Sequence, residues 1–172
     1  MEIEVGSSFG HTLSRLAAHN TATLFFGIEI NAQRHEEAAR RAVRLSLPNL
    51  HFIQADAVEI VTKHLPACSV SVFHIYFPSE SYIDPKGNRR PLMTRDFGNG
   101  LYRTLRKGGI LRVLTDSKHY FDNVRRMLAG LPFWPFRCKP LSLALPPGVV
   151  AGTPLEYRYR QDGQIYSLHL VK

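Results

Sequence analysis

The sequence predicts an α/β domain whose central sheet is mostly parallel and ends in a C-terminal antiparallel hairpin. Three observations carry this. Runs rich in Val, Ile, Phe and Tyr alternate with helical patterns up to Leu128; prolines then interrupt the alternation; and Asp162-Gly163 separates two late strand-like runs. A chain of 172 residues with 44% hydrophobic content is long enough for one well-buried domain and short for two, so a single domain over residues 1–172 is expected.

Met1 to Val5 reads as a short strand. Gly10 to about Asn20 follows as a helix, with Leu13, Leu16 and Ala17 on one side. Thr23 to Ile30 is a nearly continuous apolar strand, of the kind buried on both faces of a parallel sheet. Asn31 is placed to cap a helix reaching about Leu45, with Ala38, Ala42 and Leu45 on one side and arginines on the other. Leu50 to Gln54 is the third strand, Ala57 to His64 a short helix, and Val70 to Phe77 the fourth strand. Thr94 caps a helix to Leu105, Lys107-Gly108-Gly109 stops it, and Ile110 to Thr115 is the fifth strand. Asp116 or Ser117 opens a helix to about Leu128. From Leu131 to Pro154 six prolines exclude a helix or a central strand and predict a long loop. Leu155 to Tyr159 and Gln164 to Val171 are then the strands of the terminal hairpin.

Charge is distributed unevenly. Residues 1 to 84 hold six Lys and Arg against nine Asp and Glu, a net of −3, whereas residues 85 to 172 hold sixteen against five, a net of +11. Attraction for a polyanion is therefore expected in the second half. A solvated helix face accounts for Arg103, Arg106 and Lys107, but Lys86, Arg89, Arg90 and Arg95 cluster in a loop. The opening residues lack a basic segment followed by an apolar one, and no apolar run reaches about 18 residues, so neither a signal peptide nor a membrane span is expected. The expected location is the cytoplasm. Cys68 and Cys138 have no ligand-like spacing and read as small apolar fillers, and His11, His51, His64 and His74 show no metal-binding pattern. His74 alternates inward within its strand and is expected to be buried beside the site.

The segment Phe77 to Arg90, FPSESYIDPKGNRR, follows a buried strand, where an open α/β sheet does its chemistry. It resembles the active-site loop of the tRNA (guanine-N7)-methyltransferases, Phe-Pro-Asp-Pro-Trp followed at fixed distance by Arg-Arg; Pro78, Arg89 and Arg90 fall on that pattern, whereas Ser79, Glu80 and Ser81 replace its Asp-Pro-Trp core. Glu4-Val5-Gly6-Ser7-Ser8-Phe9-Gly10 resembles the family's Glu-Ile/Val-Gly-x-Gly-x-Gly turn, with Ser8 at the middle glycine. Glu29 in FFGIEI, Asp56 in QADA, Thr115-Asp116, and Thr153-Pro154-Leu155-Glu156 with Arg158 match further family motifs. The resemblance runs from Glu4 to about Tyr166 and implies a Rossmann-like methyltransferase fold. The family carries a segment ahead of its first strand that helps cover the cofactor. This sequence begins almost at the glycine turn, so either that start is missing or closure is achieved differently.

The resemblance implies S-adenosylmethionine as cofactor and guanine N7 of a tRNA as target. It places Glu4, Gly6, Gly10, Glu29, Ile30, Asp56 and Ala57 against the cofactor. A carboxylate at the end of the second strand can accept from both ribose hydroxyls, and Asp56 can serve the base edge while capping a helix. Tyr82, Arg89, Arg90, Thr153 and Glu156 are the implied substrate contacts. Guanine N7 has an available lone pair, so methyl transfer needs alignment and no general base. Ser79, Glu80 and Asp116 are the catalytic candidates: Glu80-Ser81-Tyr82 repeats the family's acid-x-aromatic spacing one residue later, so Glu80 would hold guanine and Tyr82 would stack on it. A monomer or weak homodimer without metal is expected. Two other readings stand beside this one: a cofactor- or RNA-binding paralogue without chemistry, and a methyltransferase of a different substrate.

Overall fold

The computed structural model describes residues 1–132 and 165–172, together with the backbone of 134–140. Among them, seven strands form one sheet: β1 (Glu2–Val5), β2 (Phe25–Glu29), β3 (Leu50–Gln54), β4 (Val70–Tyr76), β7 (Leu105–Thr115), β8 (Trp134–Pro140) and β9 (Tyr166–Val171). Their order is β3-β2-β1-β4-β7-β9-β8. The first five are parallel, and β9 runs antiparallel to both β7 and β8. A two-stranded ribbon, β5 (Ser81–Ile83) with β6 (Arg89–Pro91), stands apart within the segment after β4.

The helices are α1 (His11–His19), α2 (Ala32–Arg44), α3 (Ala57–Glu59, continued by a π-helical turn Ile60–His64), α4 (Arg95–Thr104) and α5 (Lys118–Leu128). Their starts are chemically marked. Asn31, Asp56, Thr94 and Ser117 each accept a backbone N–H of the first turn, satisfying donors that the helix itself cannot pair.

The two sheet faces differ in content. On one, Ile3, Val5, Phe73, Ile75, Leu111, Val113, Leu168 and Leu170 occupy facing register positions and pack against Val61, Phe97, Leu101, Phe121, Val124 and Leu128 from α3 to α5. On the other, Phe25 and Leu50 bury Leu13 and Ala17 of α1 and Ala42 of α2. Next to that patch the same face turns polar: Glu4, His74, Arg112 and His169 stand side by side on β1, β4, β7 and β9. His74 is fully buried, with Nε2 2.8 Å from Glu2 Oε2 and Nδ1 2.7 Å from the Tyr76 hydroxyl. Burial pushes the imidazole below its ordinary range, against the pull of Glu2. A neutral ring then donates from Nε2 to the carboxylate and accepts the phenol proton at Nδ1.

The structure corrects four expectations. Trp134–Pro140 is not loop but the edge strand β8, where Pro135 and Pro140 are tolerated because an outer edge needs no N–H. The helix before Lys107-Gly108-Gly109 ends at Thr104, and β7 begins at Leu105. A register shift lets Arg106 to Gly109 bow out between Val70 and Val72, with Gly108 at φ +74° and its N–H on Lys172 O. The stretch after β4 contains the ribbon that the sequence reading left as loop. Cys68 is an exposed residue at φ +56°, not an apolar filler, and the Cys138 side chain lies outside the described residues. The strand expected at 155–159 and the Asp162-Gly163 turn also lie outside them; β9 is present and pairs with β7 and β8.

His74 gives the fold a testable acid sensitivity. Its imidazole, like those of His11 and His169, binds a proton less readily in the folded chain than the roughly 6.5 of an unfolded histidine. The unfolded state therefore takes up more protons below that pH, and stability is expected to fall as pH drops from about 6.5 toward 5. Denaturant titrations across this range should show a shallower loss for His74→Gln. His74→Leu should be destabilised at every pH, by roughly 1–3 kcal/mol for each polar group left unpaired.

Candidate functional site

The C-terminal ends of β1 to β4 converge on a cavity of about 630 Å³, within the size range of small-molecule sites. The β1–α1 turn forms its floor. Gly6 and Gly10 sit at φ +72° and +71°, and a Cβ on Gly10 would stand 2.4 Å from Phe52 Cζ, so α1 could not approach β3 with any other residue there. Ser8, at the place of the family's middle glycine, also adopts a left-handed backbone, φ +49°. A hydrogen bond holds it there. The Ser8 N–H donates to Glu29 Oε2 at 2.8 Å, and the Asn31 N–H donates to Glu29 Oε1 at 2.9 Å. Glu29 thus ties the β1–α1 turn to the start of α2. It is 5% exposed and stands behind the cavity wall, which its neighbours Ile28 and Ile30 form.

Glu4 belongs to the wall itself. It is 4% exposed, and its Oε2 has no hydrogen-bond partner; Ser7 Oγ beside it is also buried and unpartnered. Burial first, and then the neighbouring charge of Glu29, push the Glu4 carboxyl well above the usual range. Two orphaned polar groups in a cavity wall are an unmet demand for a ligand that donates hydrogen bonds or brings positive charge. Asp56 and Ala57 also line the cavity. Asp56 Oδ1 caps α3 through the Val58 N–H at 2.8 Å, and Oδ2 accepts from the Tyr82 hydroxyl at 3.1 Å. Desolvation, reinforced by the Asp56 charge and hydrogen bond, pushes the Tyr82 phenol up to about 12.

The segment after β4 divides the catalytic candidates. Phe77 has φ +46°, an uncommon backbone for an aromatic residue, and with Pro78 and Ser79 it lines the cavity. Glu80 is exposed and turned toward α5, where its Oε1 accepts from Ser117 Oγ at 3.0 Å; Asp116 is exposed at the adjacent end of β7. Ser79 is therefore at the wall, whereas Glu80 and Asp116 stand outside it. Tyr82 reaches the cavity but engages Asp56, the residue expected at the cofactor base. Thr153 and Glu156 lie outside the described residues.

The organiser of the ribbon is Asp84. Asp84 Oδ1 accepts the N–H groups of Lys86 and Asn88, and Oδ2 accepts Arg90 Nε at 2.6 Å. The Asn88 backbone N–H, helped by Arg90, holds the Asp84 carboxyl below its usual range. Arg90 is thereby partly committed within the ribbon, while Arg89 Nη1 reaches Ser81 Oγ at 2.8 Å. The Asp-Pro-Lys-Gly-Asn run was the available signal, since an Asp heading such a turn bonds the N–H groups that follow it. Phe9, His11, Thr12, Arg34 and Leu92 also line the cavity and were not singled out. Among the described residues no group of three His, Cys, Asp or Glu is placed to hold a metal, and no helix is long and apolar enough to cross a membrane.

Residues 1–147 match the family described as "Putative methyltransferase". The tRNA (guanine-N(7)-)-methyltransferase of Dechloromonas aromatica is 28% identical over 130 residues, 76% of this chain and 52% of that protein. The enzyme of the same name from Chloroherpeton thalassium is 28% identical over 127 residues, 74% of this chain and 55% of that protein. The chain spans about half the length of the curated relatives it matches. A SAM-dependent methyltransferase from Aquifex aeolicus superposes with a TM-score of 0.68 at 12% identity, covering 98% of this chain and 80% of that one, which makes the fold Rossmann-like.

Glu4 carries a measurable penalty. Between the ordinary carboxylate range and its raised value, the folded chain holds a proton that the unfolded chain has released, so stability falls as pH rises through that window. In the ligand-free protein Glu4→Gln is expected to match wild type in melting temperature near pH 4 and to exceed it increasingly toward pH 8. A difference that stays flat with pH would mean that Glu4 titrates alike in the folded and the unfolded chain.

Proposed function

The chain belongs to this methyltransferase family, and from that premise we propose that it methylates guanine N7 in a tRNA with S-adenosylmethionine as methyl donor. The single observation behind the reading is the unsatisfied Glu4 carboxyl in the wall of a cavity floored by a glycine turn. S-adenosylmethionine supplies an electrophilic methyl group on a cationic sulfonium. Glu4 and Ser7 receive the cationic amino-acid end, Gly6 allows the backbone close approach, and Gly10 serves the cofactor indirectly by letting the turn pack against Phe52. Glu29, behind the wall, serves the cofactor by fixing the turn through Ser8 and the start of α2 through Asn31, rather than by meeting a ribose hydroxyl itself. Ile30, Asp56 and Ala57 bound the adenine side.

No residue has to remove a proton from N7, so the work of Ser79, Glu80 and Asp116 is to hold guanine in line with the methyl group. Arg89, Arg90 and Tyr82 on the ribbon, with Thr153 and Glu156, contact the tRNA. The protein works in the cytoplasm as a monomer or weak homodimer and without a metal. A second reading, a paralogue that binds cofactor and RNA without transfer, is favoured by one observation: Ser79 stands at the family's acid position, and Glu80 is drawn to Ser117 outside the wall.

Two measurements decide. S-adenosylhomocysteine at about 100 times its Kd is expected to stabilise the fold by roughly 2.7 kcal/mol, read as a rise in melting temperature, whereas NAD should give none. The opposite pattern refutes the cofactor class. Mass spectrometry of tRNA incubated with protein and cofactor should show one added methyl group on guanosine. A thermal shift without methylated product selects the paralogue. If product forms, Glu80→Ala should abolish it while leaving the S-adenosylhomocysteine shift in place.

A further inference from the structure

Phe9 is an exposed aromatic residue at a cavity wall. It sits on the β1–α1 turn with 42% of its surface open, between the half-buried Ser8 and the buried Gly10. Arg41 Nε donates to the Phe9 carbonyl at 3.1 Å, and its Nη2 lies 3.0 Å from His11 Nε2, so α2 fixes the backbone beneath the ring. His11 and Arg34 line the same cavity, and Arg15 follows His11 by one turn of α1. Burial, then Arg41 and Arg15, hold the His11 imidazole below its ordinary range, which leaves Nε2 free to accept from Arg41.

Among the described residues no carboxylate pairs with Arg15, Arg34 or Arg41, whereas Arg40 on the same helix is paired with both Glu36 and Glu37. This local excess is hidden in the sequence, because the first half of the chain is net acidic. Several of its acids are committed elsewhere: Glu4 and Glu29 are buried, and Glu2 binds His74. The second-half cluster is weaker than its count suggests, since Arg90 is spent partly on Asp84. An exposed aromatic ring on the wall that Arg34 shares, with Arg41 bonded to its backbone and Arg15 one turn on from His11, offers a face and unpaired positive charge for a stacked base and its phosphates.

We propose that Phe9, together with Arg15 on α1 and Arg34 and Arg41 on α2, is a stacking platform for a single-stranded nucleotide of the RNA substrate, adjoining the base that enters the cavity. The proposal rests on the RNA reading above and adds the surface that grips the strand. Binding of labelled tRNA to the full chain tests it. Phe9→Leu should weaken binding roughly 5- to 100-fold and Phe9→Tyr should restore it, as expected for loss and return of one stacked base. Arg15→Gln and Arg34→Gln should each lower the slope of log K against log salt by roughly 0.7 to 0.9. Arg15→Gln should keep the S-adenosylhomocysteine shift.

Unchanged tRNA affinity in Phe9→Leu, while wild type still methylates tRNA, overturns the platform and leaves the proposed reaction standing. Loss of the S-adenosylhomocysteine shift in Phe9→Leu with tRNA affinity intact assigns the ring to covering the cofactor and also overturns it. Wild-type protein that binds no tRNA removes both. Tighter binding to an acidic protein than to tRNA would make the patch a protein contact and overturn the RNA assignment.

Discussion

Two backbone N–H groups from different loops converge on one buried carboxylate, and the shape of the cavity follows from that convergence. Glu29 takes the Ser8 and Asn31 donors on separate oxygens. The first contact holds a serine in a backbone region that favours glycine; the second fixes the residue that caps α2. Hydrogen bonds to a carboxylate are among the stronger ones available. Here they pin the β1–α1 turn and the start of α2 to the end of β2 where the cavity opens, so a single side chain coordinates a turn, a cap and a wall it does not itself form.

That constraint clarifies why Glu4 and Glu29 were equally legible and yet act differently. Both acids stand at strand ends in a recognisable motif, and the resemblance assigned both to the cofactor. Only the structure separates them, because the distinction lies in partners: Glu29 has two donors, and Glu4 Oε2 has none. Most strands and helices through Leu128 were readable from periodicity and caps; the β5–β6 ribbon and the start of β7 at Leu105 were not. Asn31, Asp56, Thr94 and Ser117 all occupy the cap positions that their chemistry suggested. The edge strand at Trp134–Pro140 was not readable, since proline argues against a strand unless its position at the sheet margin is already known.

The segment after β4 shows a different limit. Comparison with the family's loop directed attention to the missing acid at Ser79, while the residue that shapes this loop is Asp84, which gathers Lys86, Asn88 and Arg90. The ribbon it builds presents Tyr82 to Asp56 and brings one side of the segment to the cavity. Glu80 is drawn to the other side by Ser117. Sequence spacing treated Glu80 and Tyr82 as one displaced pair, as two residues on one face of a strand would be, but Glu80 precedes β5 and the two meet different partners, Ser117 and Asp56.

The strand order holds a consequence for the path of folding. β9 follows β8 along the chain but lies between β7 and β8 in the sheet, so β8 joins the sheet only through β9, whether after it or paired with it. The parallel portion can assemble earlier. In that interval β7 presents an open row of amides and carbonyls, a template for pairing with another molecule. Docking β9 closes a loop of about fifty residues from β7, a slow step by loop-closure entropy. The lifetime of that unpaired edge, more than the stability of the finished sheet, would then govern how much newly made protein is lost to aggregation.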